Sequence, residues 1–516
     1  MCPVVPSVDA RHARDGRCRK GLRHGLFGGR RHGVSRRSAF VPVLRGFVGG
    51  ESERMCRDDA GEGVGVSGMT GLVTTSPPRP GVSRPGTGGG DDVRVPLLAR
   101  PLASYYLLLF SAGLLLLFGL IMVLSASSVR AFEELGSPYA VFARQATWVG
   151  IGLPLLVLGS RLPVRVFRLL AYPTMVVSLL LLLVVLTPLG KSLNGAQRWI
   201  EFGPYTLQPS EIAKLALVLW GADLLVRKRR LLGDWKHLLV PLVPSALLIS
   251  ILIMLEPDMG TTIVVLTVLL TLLWVVGTPL RVFAALSGAI LVVGTILAVR
   301  EPYRLERLMS YRDPFADAHD TGFQAVQGLY ALASGGWWGE GLGASREKWP
   351  GLLPNAHTDF ILAIIGEELG LLGTLVVVML FAVLGFAGIR VAHRSTDPFT
   401  QLAAAAATGW IIGQAVVNMG AVVGLLPITG IPLPLVSFGG SALVPTMLTV
   451  GMLLSFARNE PAAAALISSR AAARRDARDR AGTDHWRRRF HAQQPPHGGY
   501  RVDVRREDGP RVSARW

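Results

Sequence analysis

Residues 104–124 read SYYLLLFSAGLLLLFGLIMVL, a run of 21 residues without a charged side chain. A helix of about 20 apolar residues is long enough to cross the hydrocarbon core of a bilayer. The run has no charged face of the kind that a helix on the surface of a soluble protein needs. The stretch therefore predicts a membrane-spanning helix.

The rest of the chain repeats this pattern. Half of all residues are hydrophobic and 17% are charged, which is typical of a membrane protein. Further apolar runs begin near Val141, Phe167, Ser210, His237, Gly260, Leu280, Thr358, Thr400 and Ser441. The predicted fold is all-α, a polytopic integral membrane bundle of about ten helices across residues 100–460.

Basic residues in the short loops predict the orientation of the bundle. They cluster in loops of one parity, at Arg161, Arg165, Arg168, Arg227, Lys228, Arg229, Arg230, Lys236, Arg281, Arg390 and Arg394. Loops rich in Lys and Arg stay on the cytoplasmic side. With an even number of spans both termini are then cytoplasmic, and the large loop 300–357 faces outward.

The two ends of the chain differ from the apolar part. Residues 1–99 are rich in Arg, Gly, Ser and Pro, and we expect a disordered basic cytoplasmic segment, with Met55 and Met69 as alternative start sites. Residues 461–516 predict a second disordered basic tail. The net charge of +18 is concentrated in these ends and in short loops, as orientation signals are, which argues against nucleic-acid binding. The C-terminal tail can contact anionic lipid headgroups or cytoplasmic division proteins, or stay solvated.

A carboxylate at the start of one apolar run is a candidate for chemistry. Asp359 follows Thr358, which we expect to cap the helix. The acid could simply favour the positive end of the helix dipole. It could equally accept a proton from a substrate hydroxyl at the outer membrane interface.

Other polar residues also allow two interpretations. Glu211 and Lys214 lie three residues apart on one helix face, where they can form an ion pair or line a cavity. Arg198, beside Trp199, can bind a phosphate with two hydrogen bonds or rest at the membrane interface. No His or Cys cluster has the spacing of a metal site, so we expect no metal ligands.

A glycine-rich run, residues 335–343, precedes the segment that contains Asp359. It lacks the strand and helix of a dinucleotide-binding fingerprint and the Lys-Ser/Thr pair of a P-loop, which excludes these nucleotide sites. We expect a flexible outer loop. Glu367 and Glu368, next to Gly366 and Gly370, are interpreted as structural residues.

Several motifs in register resemble the FtsW/RodA/SpoVE family. They are Gly195–Trp199, Gln208–Lys214, Glu256–Gly260, Gly335–Lys348, Leu353–Phe360, Ile365–Gly370 and Pro432–Ser441. The resemblance covers most of residues 100–460. It implies a ten-helix peptidoglycan glycosyltransferase that polymerises lipid II in the bacterial cytoplasmic membrane.

The same resemblance implies roles for individual residues. Asp359 is expected to be the catalytic base that deprotonates the acceptor sugar. The expected substrate-binding residues are Arg198, Glu211, Lys214, His357, Thr358, Ser437, Gly439, Gly440 and Ser441. Arg198 and Lys214 would stabilise the departing pyrophosphate, and a divalent cation, Mg²⁺ or Mn²⁺, is an alternative helper.

Smaller features favour the division branch of this family over its elongation branch. They are Ala356 and the pattern Tyr303–Arg307 leading into Asp313. This branch implies a septal location, a class B penicillin-binding protein as transpeptidase partner, and other divisome proteins. Glu256 departs from the family pattern, in which Gln is common. A lipid II flippase, a non-catalytic scaffold and an elongation-type paralogue are the alternatives.

Overall fold

The computed structural model describes residues 100–193, 196–203, 205–231, 235–300, 311, 313–316 and 322–492. All of these belong to one compact unit, residues 41–516. The predictions for residues 1–99, Asn194, Gly195, Tyr303–Arg307 and 493–516 lie outside the described residues.

Most of the described residues are helical. In chain order the helices are α1 (Ala103–Leu135), α2 (Ala140–Arg161), α3 (Val164–Val185), α4 (Pro209–Arg227), α5 (Trp235–Leu239), α6 (Leu242–Leu255), α7 (Met259–Val276), α8 (Leu280–Arg300), α9 (Phe323–Ser334), α10 (Ile361–Arg394), α11 (Pro398–Val422), α12 (Gly440–Arg458) and α13 (Pro461–Ala492). Three short strands stand between α3 and α4: β1 (Gly190–Leu193), β2 (Ala196–Phe202) and β3 (Tyr205–Leu207).

Every predicted apolar run coincides with a helix. Within the described residues, eight helices are long and apolar enough to span a membrane, with α5 and α6 together forming one of them. Two further helices are not in this count: α4, which carries four ionisable side chains, and α8, which is apolar over its described stretch Leu280–Ile296. The protein is thus a polytopic helical membrane protein, while the count of ten spans and their orientation stay predictions.

Small residues let the helices of the bundle approach closely. A Cβ on Gly451 of α12 would lie 2.4 Å from the carbonyl oxygen of Leu156 on α2. A Cβ on Gly152 of α2 would meet the Met447 sulfur at the same distance, 2.4 Å. Association of helices in lipid depends on such close van der Waals packing, because the lipid tails are themselves apolar.

The three strands form an antiparallel sheet in the order β1-β2-β3, a small addition to the helical fold predicted from the sequence. The Gln197 side chain donates hydrogen bonds to the carbonyls of Val185 and Thr187, so it ties β2 to the end of α3. Strands this short, with mixed polar residues, give no clear alternation in the sequence. The sheet places Arg198 of β2 beside the bundle.

The basic C-terminal segment differs from the prediction, because its described part is helical rather than disordered. Helix α13 begins at Pro461, and Ala462–Ala465 and Ala471–Ala473 supply residues of the highest helix propensity. The charged residues 474–480 are exposed. Local propensity therefore favours a helix even where no core covers it.

Candidate active site

The turn before α10, residues 355–360, carries Asp359 and is called the Asp359 turn. The Thr358 amide and the Thr358 hydroxyl both donate to the carbonyl of Asn355, each at 3.0 Å. The helix starts at Ile361 with Phe360 as its N-cap residue. The predicted capping role of Thr358 is therefore wrong, because its hydroxyl closes the turn three residues before the first residue of the helix.

Asp359 is half-buried and its backbone is fixed. Its carbonyl accepts a hydrogen bond from the side-chain amide of Asn418 on α11, at 2.8 Å. A Cβ on Gly430 would lie 3.7 Å from Oδ2 of Asp359, and Gly430 has a φ of +71°, which disfavours other residues there. A Cβ at this distance would be in ordinary van der Waals contact, so Gly430 lies directly beside the carboxylate.

His357 links this turn to the chain between α11 and α12, residues 423–439, called the α11–α12 connection. The backbone amide of Phe438 donates to the His357 carbonyl at 3.0 Å, and the two rings meet edge to face at 5.5 Å. Burial and the charge of Arg130 lower the pKa of His357 to about 4, against a smaller opposite effect of Glu134. The imidazole is thus neutral near pH 7, so it can offer hydrogen bonds but no positive charge.

The predicted substrate-binding residues of the α11–α12 connection are held by internal contacts. The Ser437 hydroxyl accepts a hydrogen bond from the Leu433 amide at 2.8 Å. Gln145 of α2 donates to the Ser437 carbonyl at 3.3 Å and accepts from the Gly439 amide at 3.4 Å. Ser437 and Gly439 therefore fix the shape of the connection beside the Asp359 turn.

The start of α12 also packs closely. A Cβ on Gly440 would lie 1.9 Å from Nε1 of Trp148, so only glycine fits there without movement of α2. Ser441 is half-buried in the first turn of α12. Ser441 therefore has a side chain that is partly accessible, whereas Gly440 serves the close packing of α12 against α2.

Arg198 reaches from β2 to the turn between α6 and α7. Its Nε donates to the Glu256 carbonyl at 3.1 Å, another guanidinium nitrogen donates to the Pro257 carbonyl, and Nη1 lies 3.9 Å from Oδ1 of Asp258. The side chain keeps 22% of its surface exposed. A Cβ on Gly260 would lie 2.6 Å from the Thr429 carbonyl oxygen, so this turn borders the α11–α12 connection.

Lys214 is completely buried, unlike Arg198. Its ammonium lies 2.8 Å from Oε1 of Glu211 and 2.9 Å from Oε1 of Gln414, with the Trp410 ring centre 5.1 Å away. Gln414 in turn donates to the Pro432 carbonyl at 2.9 Å. The pair thus connects α4 through α11 to the α11–α12 connection, and in this conformation the ammonium has no exposed surface.

Glu256 is a buried carboxyl group whose two oxygens have no hydrogen-bond partner among the described residues. Burial, and secondarily the charge of Asp258, raise its pKa from the ordinary 4.5 to about 8, while Arg198 lowers it. The folded state therefore binds the proton more tightly than the unfolded state. Its contribution to stability is complete below pH 4.5 and is lost as the pH rises through about 8.

We expect Glu256→Gln to flatten the dependence of the free energy of unfolding on pH between about pH 4.5 and pH 8. The unaltered protein should lose up to about 3 kcal/mol of its free energy of unfolding between pH 6 and pH 8 through this group, since one pKa unit corresponds to about 1.4 kcal/mol. Unfolding in detergent at a series of pH values measures the loss. Glu201→Gln is the control, because Glu201 is an exposed carboxylate paired with Lys191, and its removal should leave the dependence of stability on pH unchanged in this range. If the free energy of unfolding changed with pH in the same way in the unaltered chain and in Glu256→Gln, the raised pKa of Glu256 would be contradicted.

The glycine-rich run is ordered against a break in α10, rather than being a flexible loop. Gly370 has a φ of +69° inside the helix. The amides of Glu340 and Gly341 donate to the carbonyls of Glu367 and Glu368 at 2.9 and 3.0 Å. The loop therefore supplies hydrogen bonds that the interrupted helix cannot make within itself, as non-helical backbone at membrane depth requires.

The side chains of Glu367 and Glu368 anchor the same loop. Glu367 accepts from the Ser345 hydroxyl and, at 2.7 Å, from the Arg346 amide. Glu368 lies 3.1 Å from the Lys348 ammonium and accepts from the Ser125 hydroxyl of α1. These contacts support the predicted structural role of both carboxylates.

Three buried amides hold the site: Gln145 and Asn418, which were not among the predicted site residues, and Gln414, which the sequence offers only as a weaker polar candidate. Each contacts the α11–α12 connection, and Asn418 also contacts the Asp359 turn. The sequence carried a signal for two of them, because Gln414 and Asn418 are lone amides four residues apart on one face of an apolar helix.

The fold and this site define a class: a polytopic helical membrane protein with a half-buried carboxylate on a turn that packs against a neighbouring helix and the α11–α12 connection. The family model described as "Cell cycle protein", for FtsW, RodA and SpoVE, matches residues 105–461. The chain belongs to the FtsW/RodA/SpoVE family.

Individual relatives agree with this membership. A Mycobacterium tuberculosis protein named "Probable peptidoglycan glycosyltransferase FtsW" is 43% identical over 389 residues, which cover 75% of this chain and 73% of that protein. A Legionella pneumophila protein of the same name is 36% identical, over 69% of this chain and 92% of that protein.

Solved structures show the same architecture. The Thermus thermophilus rod shape determining protein RodA matches with a TM-score of 0.53 and 28% identity, over 69% of this chain and 97% of that chain. A chain from a structure described as "Structural coordination of polymerization and crosslinking by a peptidoglycan synthase complex" matches with a TM-score of 0.57, 28% identity and the same coverage.

Proposed function

We propose that this chain, a peptidoglycan glycosyltransferase by its family, polymerises lipid II into glycan strands with Asp359 as the catalytic base. The observation that carries the proposal is the position of Asp359. It is half-buried on a turn held at the His357 and Asp359 carbonyls, with Gly430 next to its carboxylate. A carboxylate on a turn that is held in place can take a proton from a bound hydroxyl.

In the proposed reaction the Asp359 carboxylate removes the proton from the 4-hydroxyl of the acceptor sugar. The resulting oxygen nucleophile attacks the anomeric carbon of the muramyl unit that ends the growing strand. A new glycosidic bond forms while the bond to undecaprenyl pyrophosphate breaks, and the pyrophosphate leaves with the electron pair. The proton stays on Asp359 until the product is released.

The leaving pyrophosphate needs positive charge nearby. Arg198 is the better candidate of the two predicted cations, because its guanidinium is partly exposed whereas the Lys214 ammonium is buried in an ion pair. We assign Lys214 to holding the site together. Both assignments rest on the same proposed reaction.

Mg²⁺ or Mn²⁺ as a helper is a separate part of the proposal. The described residues contain no group of three or more His, Cys, Asp or Glu side chains that could hold a metal ion. We therefore assign no step to a metal. Polymerisation measured with and without a chelator tests whether a cation bound to the pyrophosphate contributes.

We also propose septal peptidoglycan synthesis, with a class B penicillin-binding protein and other divisome proteins as partners. The names of the relatives at 36–43% identity support the division role over an elongation role. The similarity to a chain of a peptidoglycan synthase complex that coordinates polymerisation with crosslinking supports a transpeptidase partner. Fluorescent fusions at the septum and co-purification test the two parts separately.

The experiment that tests the activity uses the full chain purified with its transpeptidase partner. Lipid II is supplied in detergent to measure glycan polymer, and in vesicles to measure its movement across the bilayer. Polymer from the unaltered chain and none from Asp359→Asn supports the proposal. Movement of lipid II without polymer would favour the flippase, and neither activity would favour a scaffold.

A further inference from the structure

Asn418 of α11 makes two hydrogen bonds with one side-chain amide. Its Nδ2 lies 2.8 Å from the carbonyl oxygen of Asp359 and 2.8 Å from that of Ile431. The side chain is 2% exposed, and its Oδ1 has no hydrogen-bond partner among the described residues. A buried amide oxygen without a partner costs stability. The hydrogen bonds that Asn418 does make are therefore the two that its N–H groups donate.

The two carbonyls belong to different parts of the chain. Asp359 lies on the turn before α10, and Ile431 lies in the α11–α12 connection. One helical turn earlier on α11, Gln414 donates to the next carbonyl of that connection, Pro432, at 2.9 Å. Helix α11 thus fixes two successive carbonyls of the connection, and Asn418 alone of these amides also holds the Asp359 turn.

The hydrogen bond to the Asp359 carbonyl affects the direction of the carboxylate. Carbonyl and side chain share the same Cα, so fixing the peptide plane restricts where the side chain can point. Gly430, which borders Oδ2, directly precedes Ile431. One amide therefore holds the backbone that carries the Asp359 carboxylate and the backbone next to Gly430.

We propose that Asn418 is a positioning residue for Asp359. It holds the carboxylate at the distance from the acceptor hydroxyl that proton transfer requires. The inference rests on the proposed function, because it takes Asp359 to be the base. Asparagine suits the role since it offers two N–H donors to two carbonyl acceptors within one short side chain.

The test compares Asn418→Leu with Thr408→Val in the full chain purified with its partner, using lipid II as substrate. The leucine keeps the volume and removes both donors. The control, Thr408→Val, removes a different buried side-chain hydrogen bond on α11, the one from the Thr408 hydroxyl to the Ala404 carbonyl. Thr408 does not contact the Asp359 turn or the α11–α12 connection in any hydrogen bond given above. We expect kcat per folded molecule to fall about 10–100-fold in Asn418→Leu, because small misplacements of catalytic groups cost up to about 100-fold. KM should stay within about threefold, and Thr408→Val should keep its kcat.

A second variant separates hydrogen bonding from folding. Asn418→Ala removes both N–H donors and adds neither bulk nor charge, so its kcat should fall at least as far. If Asn418→Leu does not fold, this variant carries the test. Unchanged kcat in a folded Asn418 variant, or a loss that only follows the unfolded fraction, would overturn the inference.

The same assay distinguishes failure of the inference from failure of the proposed function. An inactive Asp359→Asn together with a fully active Asn418→Leu rejects only the positioning role. An active Asp359→Asn rejects Asp359 as the base, and the role proposed for Asn418 falls with it.

Discussion

Asp359→Asn is expected to lower kcat for glycan polymerisation by about 10²–10⁴-fold, which is the usual contribution of general base catalysis. The amide has the size of the carboxylate but cannot accept the proton of the acceptor hydroxyl. The variant keeps the Asp359 carbonyl, which accepts the hydrogen bond from Asn418, so the fold should survive. Polymer length and initial rate on lipid II, measured with the partner present, give the result.

Asp397→Asn is the matched control. Asp397 caps α11 by accepting a hydrogen bond from the Thr400 amide at 3.1 Å, and asparagine caps helices as well as aspartate does. This variant should polymerise lipid II at the unaltered rate. Equal rates in Asp359→Asn and the unaltered chain would remove Asp359 from the mechanism.

Lys214→Met is expected to destabilise the protein by about 3–5 kcal/mol, the usual cost of leaving one member of a buried ion pair alone. The Glu211 carboxylate is 2% exposed and would lose the cation 2.8 Å from its Oε1. Gln414 would lose a donor as well, which loosens its contact with the α11–α12 connection. Unfolding in detergent measures the change.

The double variant Glu211→Gln/Lys214→Met is the internal control, because it removes both charges and leaves groups of similar size. Most of the lost stability should return, as it does when a buried pair is replaced as a unit. A stable but inactive Lys214→Met would contradict the structural role. It would instead support the expectation from sequence that Lys214 binds the pyrophosphate.

The prediction from sequence succeeded where the signal was local. The run 104–124 predicts α1 without reference to any other part of the chain, because a span must be apolar along its whole length. The spacing of Glu211 and Lys214 likewise implied a shared helix face, and the ion pair is present. The sheet was missed because its short strands are defined by pairing, not by composition.

The sequence by itself thus determined the helical membrane architecture, the ion pair within α4 and the place of Asp359 just before an apolar helix. Only the tertiary structure decided what surrounds Asp359. The Asn418 contact joins residues 59 positions apart, and Arg198 reaches the carbonyl of Glu256 across 58. Helical periodicity tells which residues share a face, but not which face of another helix packs against it. That choice depends on the packing of the whole bundle, to which many residues contribute small van der Waals terms.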